Sequence, residues 1–84
     1  MKLTFTPEAW EEYLYWQGVD RKVLKKINTL IKDIQRDSFS GLGKPEPLKH
    51  ELQGYWSRRI TDEHRLVYEI FEESVIIASC RYHY

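Results

Sequence analysis

The chain has 84 residues, which suits one domain, residues 1–84, with a modest core. Lys+Arg and Asp+Glu number 13 each, for a formal net charge of zero, which excludes nucleic-acid binding by bulk positive charge but leaves room for a local basic site. One cysteine excludes an internal disulfide and reads as cytoplasmic; no apolar run reaches membrane-spanning length and no basic-then-apolar leader opens the chain, so no membrane partner is expected.

Lys2–Thr6, "KLTFT", alternates and is rich in strand formers, so a short first strand is predicted. Thr6-Pro7-Glu8 then starts a helix: a capping hydroxyl, a proline at the first helical position, and an acid at the positive end of the dipole. This helix is expected to reach about Gln17 and end at Gly18, with Trp10, Tyr13 and Leu14 on its apolar stripe. Asp20 caps a second helix over about Arg21–Arg36. Its Leu24, Ile27, Ile31 and Ile34 recur at spacings of three and four, with Val23 and Leu30 beside them. The opposite face, with Lys22, Lys25, Lys26, Lys32 and Arg36, reads as a solvated face, with a polyanion dock as the sharper alternative.

Ser38–Tyr55 is a Gly- and Pro-rich connection in which Pro45 and Pro47 hold Glu46 extended. Three strands follow, "YWSRRIT", "RLVYEIF" and "VIIASCRYHY", joined by short turns that imply an antiparallel meander. The predicted architecture is α+β: one strand, two helices packed on one sheet face, then the meander. The expected core includes Trp10, Leu14, Ile27, Ile31, Ile60, Leu66, Tyr68, Ile70 and Ile76.

Strand side chains alternate faces. Even positions from Trp56 to Tyr82 are apolar apart from Arg58, and are assigned to the helices. Odd positions form a polar face that gathers Arg59, Arg65, Arg81 and His83, with Arg59 opposite Arg65. Like charges placed opposite one another in a sheet are unfavourable, so the set points to an anion site. A solvated sheet face is the plainer reading of any one of these residues.

A carboxylate, an imidazole and arginines suit metal-free phosphodiester cleavage. Glu46 can take the proton of a ribose 2′-hydroxyl, and His83, an imidazole with a reference pKa of about 6.5, can protonate the leaving 5′-oxygen. Arg65 can stabilise the phosphorane, with Arg59 or Lys49 assisting, and Tyr84 can stack on a base of single-stranded RNA. No metal or other cofactor is expected: the three His and one Cys lack ligand spacing. A Cys80–His83 nucleophilic pair is set aside because the two fall on opposite faces.

"GKPEPLK" (Gly43–Lys49), "GYWSRRITDEHRLVY" (Gly54–Tyr68) and "CRYHY" (Cys80–Tyr84), with "WEEYLYWQ" and the helix pattern "KKIN.LIKDI", resemble the YoeB branch of the RelE/ParE toxin superfamily over essentially the whole chain. "FTPEA" and "FEESV" depart from the expected pattern. The resemblance implies a toxin of a bacterial toxin–antitoxin pair: an endoribonuclease that cuts mRNA in the A site of the 70S ribosome. It implies a YefM-like antitoxin that wraps the toxin, operator DNA bound only indirectly through that complex, and a homodimer. It carries the general base onto Glu46, the general acid onto His83, charge stabilisation onto Arg65, and supporting roles onto Lys49, Arg59 and Tyr84. A ParE-like inhibitor of DNA gyrase and a non-catalytic peptide-binding module are the competing readings.

Overall fold

The computed structural model describes residues 1–82. Strand β1 (Lys2–Phe5) leads through Thr6 into helix α1 (Pro7–Val19), and helix α2 (Arg21–Arg36) follows at once. Thr6 ties three elements together. Its Oγ1 accepts from Ala9 N–H at 3.1 Å to cap α1 and donates to the Ala78 carbonyl at 3.3 Å, while its own N–H donates to Ile77 O at 3.0 Å. Gly18 does not end α1, contrary to expectation. The helix runs on until Asp20 closes it with an N–H bond to Trp16 O at 2.9 Å; the same residue's carboxylate caps α2, accepting from Lys22 N and Val23 N at 3.0 and 3.2 Å. One residue therefore serves as both cap and corner. Tyr13 O–H donates to Asn28 Oδ1 at 2.8 Å across the helix pair.

The remaining elements are β2 (Glu46–Pro47), a 3₁₀ turn (His50–Leu52), β3 (Trp56–Arg59), β4 (Arg65–Phe71) and β5 (Ser74–Ser79). The sheet order is β1-β5-β4-β3-β2. The predicted meander is its centre; β1 adds in parallel beside β5, and the two-residue β2 adds at the other edge. Ile27, Leu30 and Ile34 of α2 are fully buried against Leu66, Tyr68, Val75 and Ile77. Each such aliphatic side chain contributes about 1.5–3 kcal/mol.

Alternation breaks in β5. Val67 pairs with Ser79 but Tyr68 pairs with Ile77, so Ala78 is an extra residue, a β-bulge. Val75 and Ile77 consequently face the helices, and Ile76, expected in the core, pairs with Glu69 on the other face. Past the bulge the parity is restored, and Cys80 is fully buried as expected. Tyr82, also assigned to the core face, is exposed because the strand has ended at Ser79.

Trp10 and Leu14 are likewise not in the core, at 46% and 39% exposed. Helix α1 lies on the sheet through Ala9 and Trp16, a stripe rotated by about one residue from the predicted one. Trp10 instead stacks on Tyr13 at 5.7 Å and meets Phe5 edge-on at 5.6 Å. These rings line a groove of about 480 Å³ with Leu3, Ile31 and Lys32.

Arg58, the one polar residue predicted on the core face, is there and is completely buried. Its Nε donates to Tyr68 Oη at 3.2 Å; Nη1 donates to Asp33 Oδ2 at 2.6 Å and Leu42 O at 3.1 Å; Nη2 donates to the carbonyls of Asp37 at 2.7 Å and Ser40 at 3.0 Å. Asp33 also binds Arg36 and accepts from Leu42 N–H at 2.9 Å. These bonds, Arg36 and the Leu42 amide foremost and then Arg58, hold its carboxyl well below the usual carboxylate range. Gly41 crosses this knot at φ 118°, where a Cβ would come within 2.2 Å of Asp33 Oδ2.

Two outcomes follow for stability. Arg58→Ala takes one of the partners of Asp33 and strands the carbonyls of Asp37, Ser40 and Leu42, and should cost about 3–5 kcal/mol, and Gly41→Ala about 1–3 kcal/mol, both read from denaturant midpoints. Because the Asp33 carboxyl is depressed in the native state, its contribution is complete above the ordinary value of 3.8 and is lost progressively as pH falls below it. Asp33→Asn should therefore lower stability at neutral pH and flatten the loss of stability on acidification; an unchanged acid slope would contradict the assignment.

Candidate active site

Strands β3 and β4 pair in the predicted register, and Arg59 stands directly opposite Arg65. The turn between them is built by Thr61, whose Oγ1 accepts from Glu63 N and His64 N at 3.2 and 3.1 Å. Arg65 folds one arm back over it. Its Nη1 donates to the carbonyls of Thr61 at 2.6 Å, Asp62 at 3.2 Å and His64 at 3.1 Å. Those carbonyl dipoles offset part of the repulsion from Arg59 and fix the guanidinium in place. Arg59 is exposed, and its backbone N–H donates to Gly43 O at 2.7 Å.

Glu46 reaches the same face through β2. It pairs with Ser57, Ser57 with Val67, and Val67 with Ser79, so one rung crosses four strands. Directly paired residues project to the same side, and Arg59–Arg65 is the next rung on that side. Sheet spacings put the Glu46 and Arg65 backbones about 12 Å apart. Ser57 and Val67 are buried, so the face is not the uniformly polar surface that alternation suggested, but has a covered floor beside the arginine rung. Pro45 and Pro47 flank Glu46 as predicted, and the two-residue pairing with β3 fixes it further. Leu48 anchors the loop by burial and by its N–H bond to Tyr55 O at 2.9 Å. Glu46, Lys49 and His50 line a pocket of about 370 Å³ with Pro47 and Leu48. Lys49 is exposed and precedes the 3₁₀ turn.

The end of the chain differs from the expectation. Arg81 does not join Arg59 and Arg65: its guanidinium lies over the Tyr15 ring of α1 at 3.6 Å and donates to Tyr82 Oη at 2.8 Å. The cause is the end of β5 at Ser79, beyond which strand alternation no longer applies. Tyr82 O accepts from Arg65 N–H at 3.1 Å, so the chain is bonded to Arg65 one residue before His83. His83 and Tyr84, the predicted acid and stacking residue, lie outside the described residues. Cys80 is no nucleophile: burial and the nearby Glu12 charge push its thiol up to about 12.

Sequence reasoning missed three contributors. His64 accepts from Tyr82 N–H through Nδ1 at 2.7 Å, Trp16 Nε1–H donates to Cys80 O at 2.8 Å, and Glu12 Oε1 accepts from Cys80 N–H at 2.8 Å. The helix pattern carried no signal for these, because each acts on the backbone of a distant segment.

Residues 5–84 match the family of YoeB-like toxins of bacterial type II toxin–antitoxin systems. The chain is 62% identical over 84 residues to the toxin YoeB of Escherichia coli K12, covering 100% of both chains. Its structure is similar to that of a YoeB/ParE toxin from Agrobacterium tumefaciens, with TM-score 0.98, 49% identity and 100% of both chains covered. It is also similar to Staphylococcus aureus YoeB, solved as a dimer at 53% identity and in a YoeB–YefM complex at 52%; each has TM-score 0.93 and covers 100% of this chain and 98% of the other. The chain therefore belongs to the YoeB-like toxins of bacterial type II toxin–antitoxin systems, with the α+β fold of the RelE superfamily.

Proposed function

We propose that this toxin is an endoribonuclease that cuts mRNA in the ribosomal A site by metal-free acid–base chemistry. One observation carries the reading: Glu46 and the Arg59–Arg65 rung share a sheet face, and the residue before His83 is bonded to the backbone of Arg65. Glu46 removes the 2′-hydroxyl proton. The 2′-oxygen attacks phosphorus, and the bond to the 5′-oxygen breaks as His83 protonates it, leaving a 2′,3′-cyclic phosphate and a 5′-hydroxyl. Arg65, held by the turn carbonyls, meets the charge that grows on the non-bridging oxygens. Arg59 and Lys49 bind flanking phosphates, and Tyr84 stacks on a base.

The ribosome supplies what the toxin lacks. In-line attack needs the 2′-oxygen, phosphorus and 5′-oxygen nearly collinear, and free single-stranded RNA rarely adopts that form. Holding the codon in it can supply up to about 7–11 kcal/mol. The partners expected are a YefM-like antitoxin and a second copy of the chain, as in the S. aureus YoeB–YefM complex and YoeB dimer. An acidic and apolar antitoxin segment that folds on binding would cover the arginine face and block RNA.

Single-turnover cleavage of A-site mRNA tests this. Glu46→Gln, Arg65→Ala and deletion of His83–Tyr84 should each reduce the rate by about 10²–10⁴-fold with an unchanged circular dichroism spectrum. The toxin without ribosomes should cut the same RNA only feebly. Undiminished cleavage by folded Glu46→Gln, or equal rates with and without ribosomes, would sink the reading.

A further inference from the structure

The segment after β5 is held in an unusual way. Chain ends beyond the last ladder residue ordinarily fray. Here the backbone on either side of Arg81 is held, three of four groups by side chains. Cys80 N–H and C=O are taken by Glu12 and Trp16 of α1, and Tyr82 N–H and C=O by His64 Nδ1 and the Arg65 amide. Tyr82 adopts φ 64°, a left-handed conformation that a residue with a Cβ keeps only where its surroundings over-determine it. Its ring and hydroxyl are also engaged, by His64 at 5.4 Å and by Arg81 at 2.8 Å. Yet Tyr82 is 56% exposed and fills no part of the core. The grip thus serves the direction of the chain rather than its packing.

We propose that His64 is a positioning residue: through its neutral imidazole it fixes Tyr82 in the left-handed turn and so sets where the chain delivers His83 relative to Arg65. The inference rests on the reading of His83 as the general acid. His64 suits the task on two counts. Its Nδ1 offers an acceptor only while the imidazole is neutral, since both nitrogens of the imidazolium are donors. Its ring meets the buried Trp16 edge-on at 4.8 Å, and Trp16 in turn holds Cys80, so the two clamps on the tail brace each other. His64 also neighbours Arg65 in sequence and gives its carbonyl to the Arg65 guanidinium at 3.1 Å. One residue therefore touches both the proposed charge stabiliser and the turn that precedes the proposed acid.

The test compares His64→Phe, which keeps an aromatic ring against Trp16 without an acceptor, with His64→Asn, which keeps a short-range acceptor. Two readouts are taken: exchange of the Tyr82 amide hydrogen by NMR, and cleavage of A-site mRNA resolved into kcat and KM. In the wild type the Tyr82 amide should exchange at least about tenfold more slowly than an amide in an unstructured peptide. His64→Phe should abolish that protection and lower kcat by about tenfold or more with little change in KM, while His64→Asn should restore much of both. A wild-type Tyr82 amide without protection overturns the proposal, even if His64→Phe fails to fold. So does a folded His64→Phe that keeps the protection, or that loses it and still cuts at the wild-type kcat. If the wild type cuts no ribosome-bound mRNA, the endonuclease reading fails by itself, and Tyr82 exchange alone decides whether His64 holds the turn.

Discussion

The buried guanidinium of Arg58 is the constraint on which the rest of the structure depends. Burying a cation in a small core gains little from its ion pair alone, because desolvation offsets most of the attraction. What distinguishes Arg58 is that every N–H of the guanidinium is used, on Tyr68, Asp33 and the carbonyls of Asp37, Ser40 and Leu42. No apolar side chain of similar volume can satisfy three loop carbonyls at once. The segment after α2 is therefore folded inward around a polar centre rather than left as a loose connection. Its Gly43 carbonyl then takes the Arg59 N–H, and β2 begins three residues later with Glu46. The carboxylate of the proposed site is launched from the knot that Arg58 ties.

Strand β3 accordingly has two jobs on alternating residues. Arg58 points into the core and organises the loop; Ser57 and Arg59 point to the other side and belong to the rungs that carry Glu46 and Arg65. This is why two adjacent arginines differ so completely, one without exposure and one open to solvent. The Arg58 charge meets Asp33 in the core, whereas Arg59 and Arg65 are set opposite each other with their repulsion eased by the turn carbonyls that Arg65 grips.

Much of this was legible in the residues. Thr6-Pro7, Asp20 and the three-and-four spacing of Ile27, Ile31 and Ile34 carry local physics, and the elements they predict are present. The short turn at Thr61–Glu63 fixed Arg59 opposite Arg65, because register is firmly specified where one face is buried. The failures come from places where a period was extended through an irregularity. The bulge at Ala78 shifts Ile76 out of the core and Ile77 into it, and alternation carried past Ser79 misplaced Arg81 and Tyr82. Trp10 was assigned inward because it shares a stripe with Tyr13 and Leu14, but Ala9, small enough for close approach to the sheet, decides which stripe of α1 docks. Arg58 was visible as the one cation in an apolar set, and Asp33 sits among the apolar positions of α2. Taken together, two opposite charges on facing core surfaces would have pointed to the buried pair.

Helix α1 illustrates how a small fold gives a helix with a modest buried stripe a second use. Only Ala9 and Trp16 of this helix are buried, so its contribution to the core is slight compared with that of α2. Several of its other contacts go to the segment after β5: Glu12 and Trp16 to the Cys80 backbone, and the Tyr15 ring to Arg81. A strand extended beyond Ser79 would have satisfied the same backbone groups through a ladder, but it would have kept the β5 direction. Clamping by side chains lets the chain leave that direction at a left-handed residue and bond to the start of β4. The Arg58 knot at one edge of the sheet and the α1–His64 clamp at the other end of the chain thus solve the same problem. Each bends a segment without regular structure toward the Arg59–Arg65 rung and holds much of its backbone by side-chain hydrogen bonds.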